Sequence, residues 1–310
     1  MAMTGDAPLQ VSRLAAFGLT SADADALANF YARAFGCRRL GARRRSGAAF
    51  EALMGVRGGA RSLTLGLGGQ RIEITQFDTP GSPYPEDAAA SDLAFQHFAI
   101  VAADMDAAYR RMRATPGWRP ISTNGPQRLP VMAGGIAAFK FRDPEGHPLE
   151  LLAFPEGASP SPWRARPAGE VLLGIDHSAL SVSDSARSVR FYQSLGLKMS
   201  GYSLNSGPAQ DKLDAIADAQ VEVTALSPPE ATPHVELLGY RGVVRGPERG
   251  CRSNDIAASR LLFEAARPFD KIAADLPELG MLDCDGHHLT ISIAPRERSP
   301  EPRLPAKDPA

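Results

Sequence analysis

Two histidines and two glutamates occupy matching positions in two parts of the chain. Each histidine lies near the start of an apolar run that alternates as a β-strand does, and each is followed by a later predicted strand with one glutamate. The histidines are His97 and His177, and the glutamates are Glu150 and Glu236. Imidazole and carboxylate groups bind divalent ions such as Zn, Ni, Co, Mn or Fe(II). The four side chains therefore form a candidate site for one metal ion.

A structural role is the alternative interpretation of these residues. A lone histidine on an apolar strand is usually a core residue that hydrogen-bonds to a neighbour. A glutamate within an apolar strand is rarer, because an unpaired buried carboxylate is energetically costly. Since both residues occur twice in the same arrangement, the pattern favours metal binding.

The composition excludes several classes of protein. The 310 residues carry a formal net charge of −1, which gives no reason to expect binding to nucleic acid or to a membrane surface. The N-terminus has no signal-peptide pattern, and no apolar run is long enough to span a membrane. The three cysteines, Cys37, Cys251 and Cys284, have no metal-type spacing. We expect a cytoplasmic protein, monomeric or homodimeric, that acts on a small molecule.

The chain contains an internal duplication. Phe191-Tyr192 repeats Phe30-Tyr31, and Glu236 repeats Glu73, at nearly the same separation along the sequence. Each half divides again into two units of one strand, one helix and about three strands. The predicted βαβββ modules are 11–78, 93–154, 172–240 and 257–294. The predicted domains are a first pair of modules at 11–154, a Pro-rich linker at 155–171, a second pair at 172–294 and a disordered tail at 295–310.

The module order, the histidine on a first strand and the last-strand sequence DPEGHPLELLAFP together resemble the vicinal oxygen chelate superfamily. This group includes glyoxalase I, extradiol dioxygenases and bleomycin-resistance proteins. The resemblance implies an α+β fold in which four βαβββ modules form two cup-shaped half-barrels. It also implies that metal ligands come from the first and last strands of paired modules.

The resemblance assigns two possible ligand positions to each module, and the modules can pair in two ways. In chain order the positions are Ala16 and Glu73, His97 and Glu150, His177 and Glu236, and Arg260 and Thr290. Pairing within halves would place Arg260 in a cup with His177 and Glu236, where its charge would repel a cation. Pairing across halves would unite both histidines with Glu150 and Glu236, and would leave Arg260 to pair with Glu73. The charges favour the second pairing, whereas the Pro-rich linker also suits the first, so both stay open.

The resemblance and the ligand set predict a metal-dependent isomerase or lyase of glyoxalase type. Such an enzyme chelates two adjacent substrate oxygens and stabilises an enediolate or enolate, with Glu236 or Glu150 as the base. One alternative is an Fe(II) extradiol-type dioxygenase, and another is a metal-free protein that binds a small molecule and confers resistance. Candidate substrate contacts are Arg128, for an anionic group, and Asn205 and Gln210, for a substrate oxygen. His234 is not expected to be a ligand.

Overall fold

The fold is taken from a computed structural model of the chain, which describes residues 9–164, 169–243, 250–265 and 278–292. The predicted tail at 295–310 and the helix expected in the fourth module lie outside these residues. Among the described residues, no helix is long and apolar enough to cross a membrane.

The secondary structure follows the four predicted modules. The first contains β1 (Val11–Thr20), α1 (Ala24–Phe35), β2 (Arg38–Arg45), α2 (Ala48–Met54), β3 (Ala60–Leu67) and β4 (Gln70–Phe77). The second contains β5 (Gln96–Ala102), α3 (Met105–Arg113), β6 (Arg119–Pro120), β7 (Gln127–Arg128), β8 (Ala137–Arg142) and β9 (Pro148–Ala153). The third contains β10 (Leu172–Ser181), α4 (Ser185–Ser194), β11 (Lys198–Ser206), α5 (Pro208–Asp214), β12 (Gln220–Ser227) and β13 (His234–Tyr240). The described part of the fourth contains β14 (Arg260–Ala265), β15 (Glu278–Leu282) and β16 (His288–Ser292).

The main helices begin where the sequence provides a capping side chain. Asp104 accepts a hydrogen bond from the amide of Ala107 at 2.8 Å, and Asp184 accepts one from Arg187 at 2.9 Å. Each aspartate thus satisfies an amide of the first turn of its helix. The first and third modules each contain a second short helix, α2 and α5, whereas the sequence predicted one helix per module. In the third module Pro208 occupies the first turn of α5, where a missing N–H costs nothing.

The strands form two sheets, and each sheet takes one module from each half of the chain. Sheet I joins the first and fourth modules in the order β15-β16-β14-β1-β4-β3-β2. Sheet II joins the second and third modules in the order β11-β12-β13-β10-β5-β9-β8-β6, with β7 paired to β8. At each centre the first strands of the two modules run antiparallel, β1 beside β14 and β10 beside β5. This order corresponds to pairing across the halves, and the α+β fold with two half-barrels is confirmed.

Contacts within each half join the two sheets. The hydroxyl of Tyr31 donates to Asp143 at 3.1 Å, and Tyr192 makes the same contact with Asp283 at 3.1 Å. His147 lies 2.9 Å from the carbonyl oxygen of Thr20 in the same interface. A continuous apolar core with residues from all four modules surrounds these contacts. The repeated Asp-x-x-Gly-His turns therefore hold sheet I against sheet II.

Candidate metal centre

Four neighbouring strands at the middle of sheet II each contribute one of the predicted ligands. Glu236, His177, His97 and Glu150 lie on β13, β10, β5 and β9, which are adjacent in that order. In the strand register Ala179 is opposite both His97 and Glu236, and Ala99 is opposite both His177 and Glu150. Residues opposite each other on adjacent strands point to the same face of a sheet, and so do residues two apart on one strand. All four side chains therefore lie on the same, concave face.

Three of the four groups form a compact cluster. One ligand atom each from His97, Glu150 and His177 lies within 4.8 Å of the others. His97 Nε2 is 2.8 Å from Glu150 Oε2, and His177 Nε2 is 3.4 Å from Glu236 Oε2. Two atoms each about 2.0–2.1 Å from one ion are about 2.9–3.4 Å apart. Both distances are thus close to those of ligand atoms that share one cation.

His97 provides the clearest test of whether these residues fit a metal ion. Its side chain is almost completely buried, and neither ring nitrogen makes a hydrogen bond with acceptable geometry. The 2.8 Å contact to Glu150 is short, but its angles are not those of a hydrogen bond. A buried polar atom without a partner is costly, and a cation between Nε2 and the carboxylate would satisfy both groups. The donor set therefore fits a divalent ion.

Two residues that the sequence analysis did not single out orient His177. Asp176 Oδ2 lies 3.1 Å from His177 Nδ1, and Trp163 donates its indole N–H to Asp176 Oδ1 at 2.5 Å. Since a carboxylate only accepts, Nδ1 of His177 carries a proton and Nε2 faces the centre. Trp163 belongs to the predicted linker, where its buried ring packs against Gly174; a Cβ there would lie 3.0 Å from the ring.

A strand irregularity brings Asp176 to His177, which strand alternation does not predict. Consecutive residues of a regular strand point to opposite faces, so Asp176 and His177 should not meet. The pairing of β10 with β5 shifts register between Ile175 and His177, which is a β-bulge or a similar irregularity. Such bulges redirect one side chain. His234 also lies close, with Nδ1 3.8 Å from Asp176 Oδ2 and Nε2 3.5 Å from Glu236 Oε1.

The surroundings of the two histidines shift their pKa values in opposite directions. Burial lowers the pKa of His97, and this effect exceeds the opposing influence of Glu150. Burial also acts to lower the pKa of His177, but Glu236 and Asp176 outweigh it and raise the pKa to about 9. The pKa of Glu236 falls to about 2, because His177 and His234 outweigh the effect of its burial. A cation that binds here must displace the proton of His177.

A buried lysine lies next to the centre and is neutralised locally. Lys140 on β8 is the register partner of Glu150, and its Nζ is 2.6 Å from Asp214 Oδ1. Asp214 also accepts hydrogen bonds from Gln210 at 2.6 Å and from the hydroxyl of Tyr240 at 3.0 Å. Burial acts to lower the pKa of Lys140, but Asp214 and Glu150 outweigh it and the pKa rises. Lys140 therefore stays charged, and it forms an ion pair with Asp214.

The centre lies in a cavity of about 210 Å³. Its apolar wall consists of Leu129, Ala133, Ile136, Leu152, Phe154, Leu213, Val221, Val223 and Leu238. Asn205 and Gln210, two of the predicted substrate contacts, line this cavity. Arg128 does not: it is exposed on β7, with Nη1 3.4 Å from the carbonyl oxygen of Gly135. A larger cavity of about 380 Å³ lies beside the β15–β16 turn, and within the described residues it contains no cluster of metal-ligating groups.

The corresponding positions of sheet I carry no comparable set. Glu73 accepts hydrogen bonds from Arg43 Nη2 at 3.0 and 2.9 Å. Arg260, the expected partner of Glu73, donates hydrogen bonds to Thr20 Oγ1 at 2.7 Å and to two backbone carbonyls. Burial lowers the pKa of Arg260 to about 10 against the opposing effect of Glu73. This cup is occupied by arginine side chains, which do not bind cations.

Comparison with known proteins agrees with this architecture. The family model of the Glyoxalase/Bleomycin resistance protein/Dioxygenase superfamily matches residues 13–151. This match spans the first two modules, and in the structure the second half of the chain repeats the same strand arrangement. No curated protein sequence matches the chain.

Two solved structures have the same fold over almost the whole chain. Glyoxalase I from Zea mays is 18% identical with a TM-score of 0.54, and the match covers 90% of this chain and 92% of that one. A putative dioxygenase from Bacillus subtilis subsp. subtilis str. 168 is 11% identical with a TM-score of 0.50, and the match covers 92% of this chain and 86% of that one. At these identities the similarity establishes the fold alone.

Proposed function

We propose that this protein is a metal-dependent isomerase or lyase of glyoxalase type, with one divalent ion held by His97, Glu150, His177 and Glu236. The observation that carries the proposal is His97, whose buried Nε2 has no hydrogen-bond partner and approaches Glu150 and His177. A bound ion would polarise two adjacent substrate oxygens and stabilise negative charge on them.

The positions of the four ligands indicate which carboxylate acts as the base. His97, His177 and Glu150 form the compact part of the cluster, and Glu236 lies at its edge with its side chain 22% exposed. Glu236 is therefore the better placed of the two carboxylates to act as the base. In this role it removes a proton from the substrate carbon beside the carbonyl group; the C–H electrons form the C=C bond of the enediolate, and the π electrons of the carbonyl group move to its oxygen. Glu236 then returns the proton to the neighbouring carbon, and the hydroxyl proton passes from one substrate oxygen to the other, so that the carbonyl group forms again at the carbon that lost its proton.

His234 and Asp176 complete this arrangement. His234 Nε2 lies 3.5 Å from Glu236 Oε1, where it restricts the carboxylate and favours its ionised form. Asp176 keeps a proton of His177 on Nδ1, so Nε2 is the nitrogen that binds the ion once its own proton is displaced. The apolar side chains of the cavity wall lower the local dielectric constant, which strengthens each electrostatic interaction at the reacting atoms.

Metal analysis of the purified protein tests the proposal. We expect about one divalent ion per chain, and His97→Ala should reduce this content to background. The control is His288→Ala, which changes a histidine on β16 in sheet I, whereas the cluster lies in sheet II. Protein that binds no metal would refute both enzymatic functions and leave a metal-free binding protein.

An Fe(II) extradiol-type dioxygenase is the second candidate. Its support is the compact group itself, since two histidines and one carboxylate are the usual ligands of Fe(II) oxygenases. Iron in the purified protein, together with O₂ uptake on addition of a catechol, would favour the dioxygenase over the isomerase. Zinc or nickel content with no O₂ uptake would favour the isomerase or lyase.

A further inference from the structure

The cavity wall beside the metal centre contains a buried amide whose orientation is fixed. Gln210 on α5 is 3% exposed and lines the cavity, and its terminal nitrogen lies 2.6 Å from Asp214 Oδ2. The oxygen and nitrogen of an amide have nearly the same shape, so the hydrogen-bond partners decide which way the group points. Here the carboxylate, which is engaged with Lys140, only accepts, so the group that faces it must be the NH₂.

The consequence is an acceptor without a partner. With its nitrogen committed to Asp214, Gln210 leaves Oε1 buried and without a hydrogen bond among the described residues. Asn205 on β11 lines the same cavity, and its Oδ1 is also buried without a partner there. Two buried acceptors on the wall of one cavity call for hydrogen-bond donors from whatever the cavity binds.

The charges around the cavity point to the kind of molecule that supplies those donors. Of the described residues that line it, Lys140 is the one lysine or arginine, and its ammonium group is bound to Asp214. Three carboxylates, those of Glu150, Glu236 and Asp176, also line the cavity. An anionic substituent would enter this apolar space with no free cation to pair with.

We infer that the substrate is a small uncharged molecule that carries a hydroxyl or N–H donor in addition to the two oxygens bound at the centre. Gln210 Oε1 and Asn205 Oδ1 accept from this donor, and the apolar wall covers the carbon frame. The inference rests on the proposed function for the chelated end alone. It replaces the expectation of an anionic substrate group held by Arg128, which lies outside the cavity.

Binding of three matched catechols to the zinc-loaded protein tests the inference. Each offers two adjacent oxygens, and the ring substituent is the variable: 4-(hydroxymethyl)catechol has a donor, 4-methylcatechol has none, and 3,4-dihydroxybenzoate has a carboxylate. Zinc has no redox chemistry, so the probes are not consumed. We expect titration calorimetry to give a dissociation constant about 5- to 100-fold lower for the hydroxymethyl compound than for either of the others.

Two variants connect this preference to the named residues. Gln210→Leu removes the acceptor and should make the hydroxymethyl and methyl compounds bind equally, whereas Gln193→Leu, on the exposed face of α4, should leave the preference unchanged. If Gln210→Leu does not fold, Asn205→Ala on the partly exposed strand β11 tests the second acceptor and should reduce the preference.

The outcomes separate this inference from the proposed function. Zinc-loaded protein that binds the methyl compound or the benzoate as tightly as the hydroxymethyl compound would overturn the inference and leave the metal site intact. Protein that takes up no zinc would overturn the proposed function, and the inference with it.

Discussion

The hydrogen-bond chain from Trp163 through Asp176 to His177 leads to a prediction that depends on counting acceptors. Asp176 accepts from Trp163 at one oxygen and from His177 at the other. Asp176→Asn preserves the shape but leaves one acceptor for two donors. If the amide oxygen keeps the bond to Trp163, the NH₂ group faces His177 Nδ1. The imidazole proton then moves to Nε2, the atom that must bind the ion.

The expected loss of zinc affinity follows from the contact of Asp176 with Nδ1 of His177, the nitrogen that does not face the ion. Removing such a partner typically lowers metal affinity about 10- to 100-fold, which corresponds to about 1.4–2.7 kcal/mol. Trp163→Phe removes one donor and preserves the ring, so alone it should weaken zinc binding less than Asp176→Asn does. In the double variant the amide is free to turn its oxygen to His177. We therefore expect Trp163→Phe to restore much of the affinity that Asp176→Asn removes.

Zinc affinity can be measured by competition with a chromophoric chelator at pH 7.5. Tryptophan fluorescence gives a second signal, because Trp163 is one of the two tryptophans of the chain and lies behind the site. Asp23→Asn is the control, since asparagine caps a helix as well as aspartate does. Wild-type affinity in Asp176→Asn, or additive losses in the double variant, would refute the reasoning.

Three further predictions concern charge and stability. Lys140→Met should lower the free energy of unfolding by about 3–5 kcal/mol, measured by urea denaturation, because it leaves Asp214 buried and uncompensated. Arg43→Ala should cost about 1–3 kcal/mol in the same assay by removing hydrogen bonds to buried Glu73, while zinc content stays unchanged. Burial lowers the pKa of His288 to about 4, so the unfolded chain binds more protons between that pH and about 6.5. Stability should therefore fall by up to about 3 kcal/mol between pH 7 and pH 4, and His288→Gln should remove this part of the loss.

Controls and contrary outcomes exist for each of these predictions. Lys212→Met and Arg44→Ala change exposed charges nearby and should alter stability by less than about 0.5 kcal/mol. A Lys140→Met protein as stable as wild type would mean that the buried ion pair is not formed. A changed zinc content in Arg43→Ala would place the metal in sheet I. If the stability of His288→Gln depends on pH as that of the wild type does, groups other than His288 cause the loss of stability at low pH.

Much of the fold could be predicted because the repeated pattern is local. Capping residues such as Asp104 and Asp184 and the alternation around His97 and His177 depend on neighbours a few residues away. The hydrogen-bond partners of Arg260 could not be predicted, for the opposite reason. Its hydrogen bonds go to Thr20 and to backbone carbonyls because β1 and β14 meet only in the folded sheet.

The sequence by itself determined the four modules and the candidate ligands His97, Glu150, His177 and Glu236, since residue type and strand alternation fix which side chains share a face. Only the tertiary structure decided that these four lie on neighbouring strands, because sheet order depends on contacts between the halves. It also decided that Trp163 and Asp176 stand behind His177. A strand irregularity turns Asp176 towards the histidine, and the linker brings Trp163 against it; neither event leaves a periodic signal in the sequence.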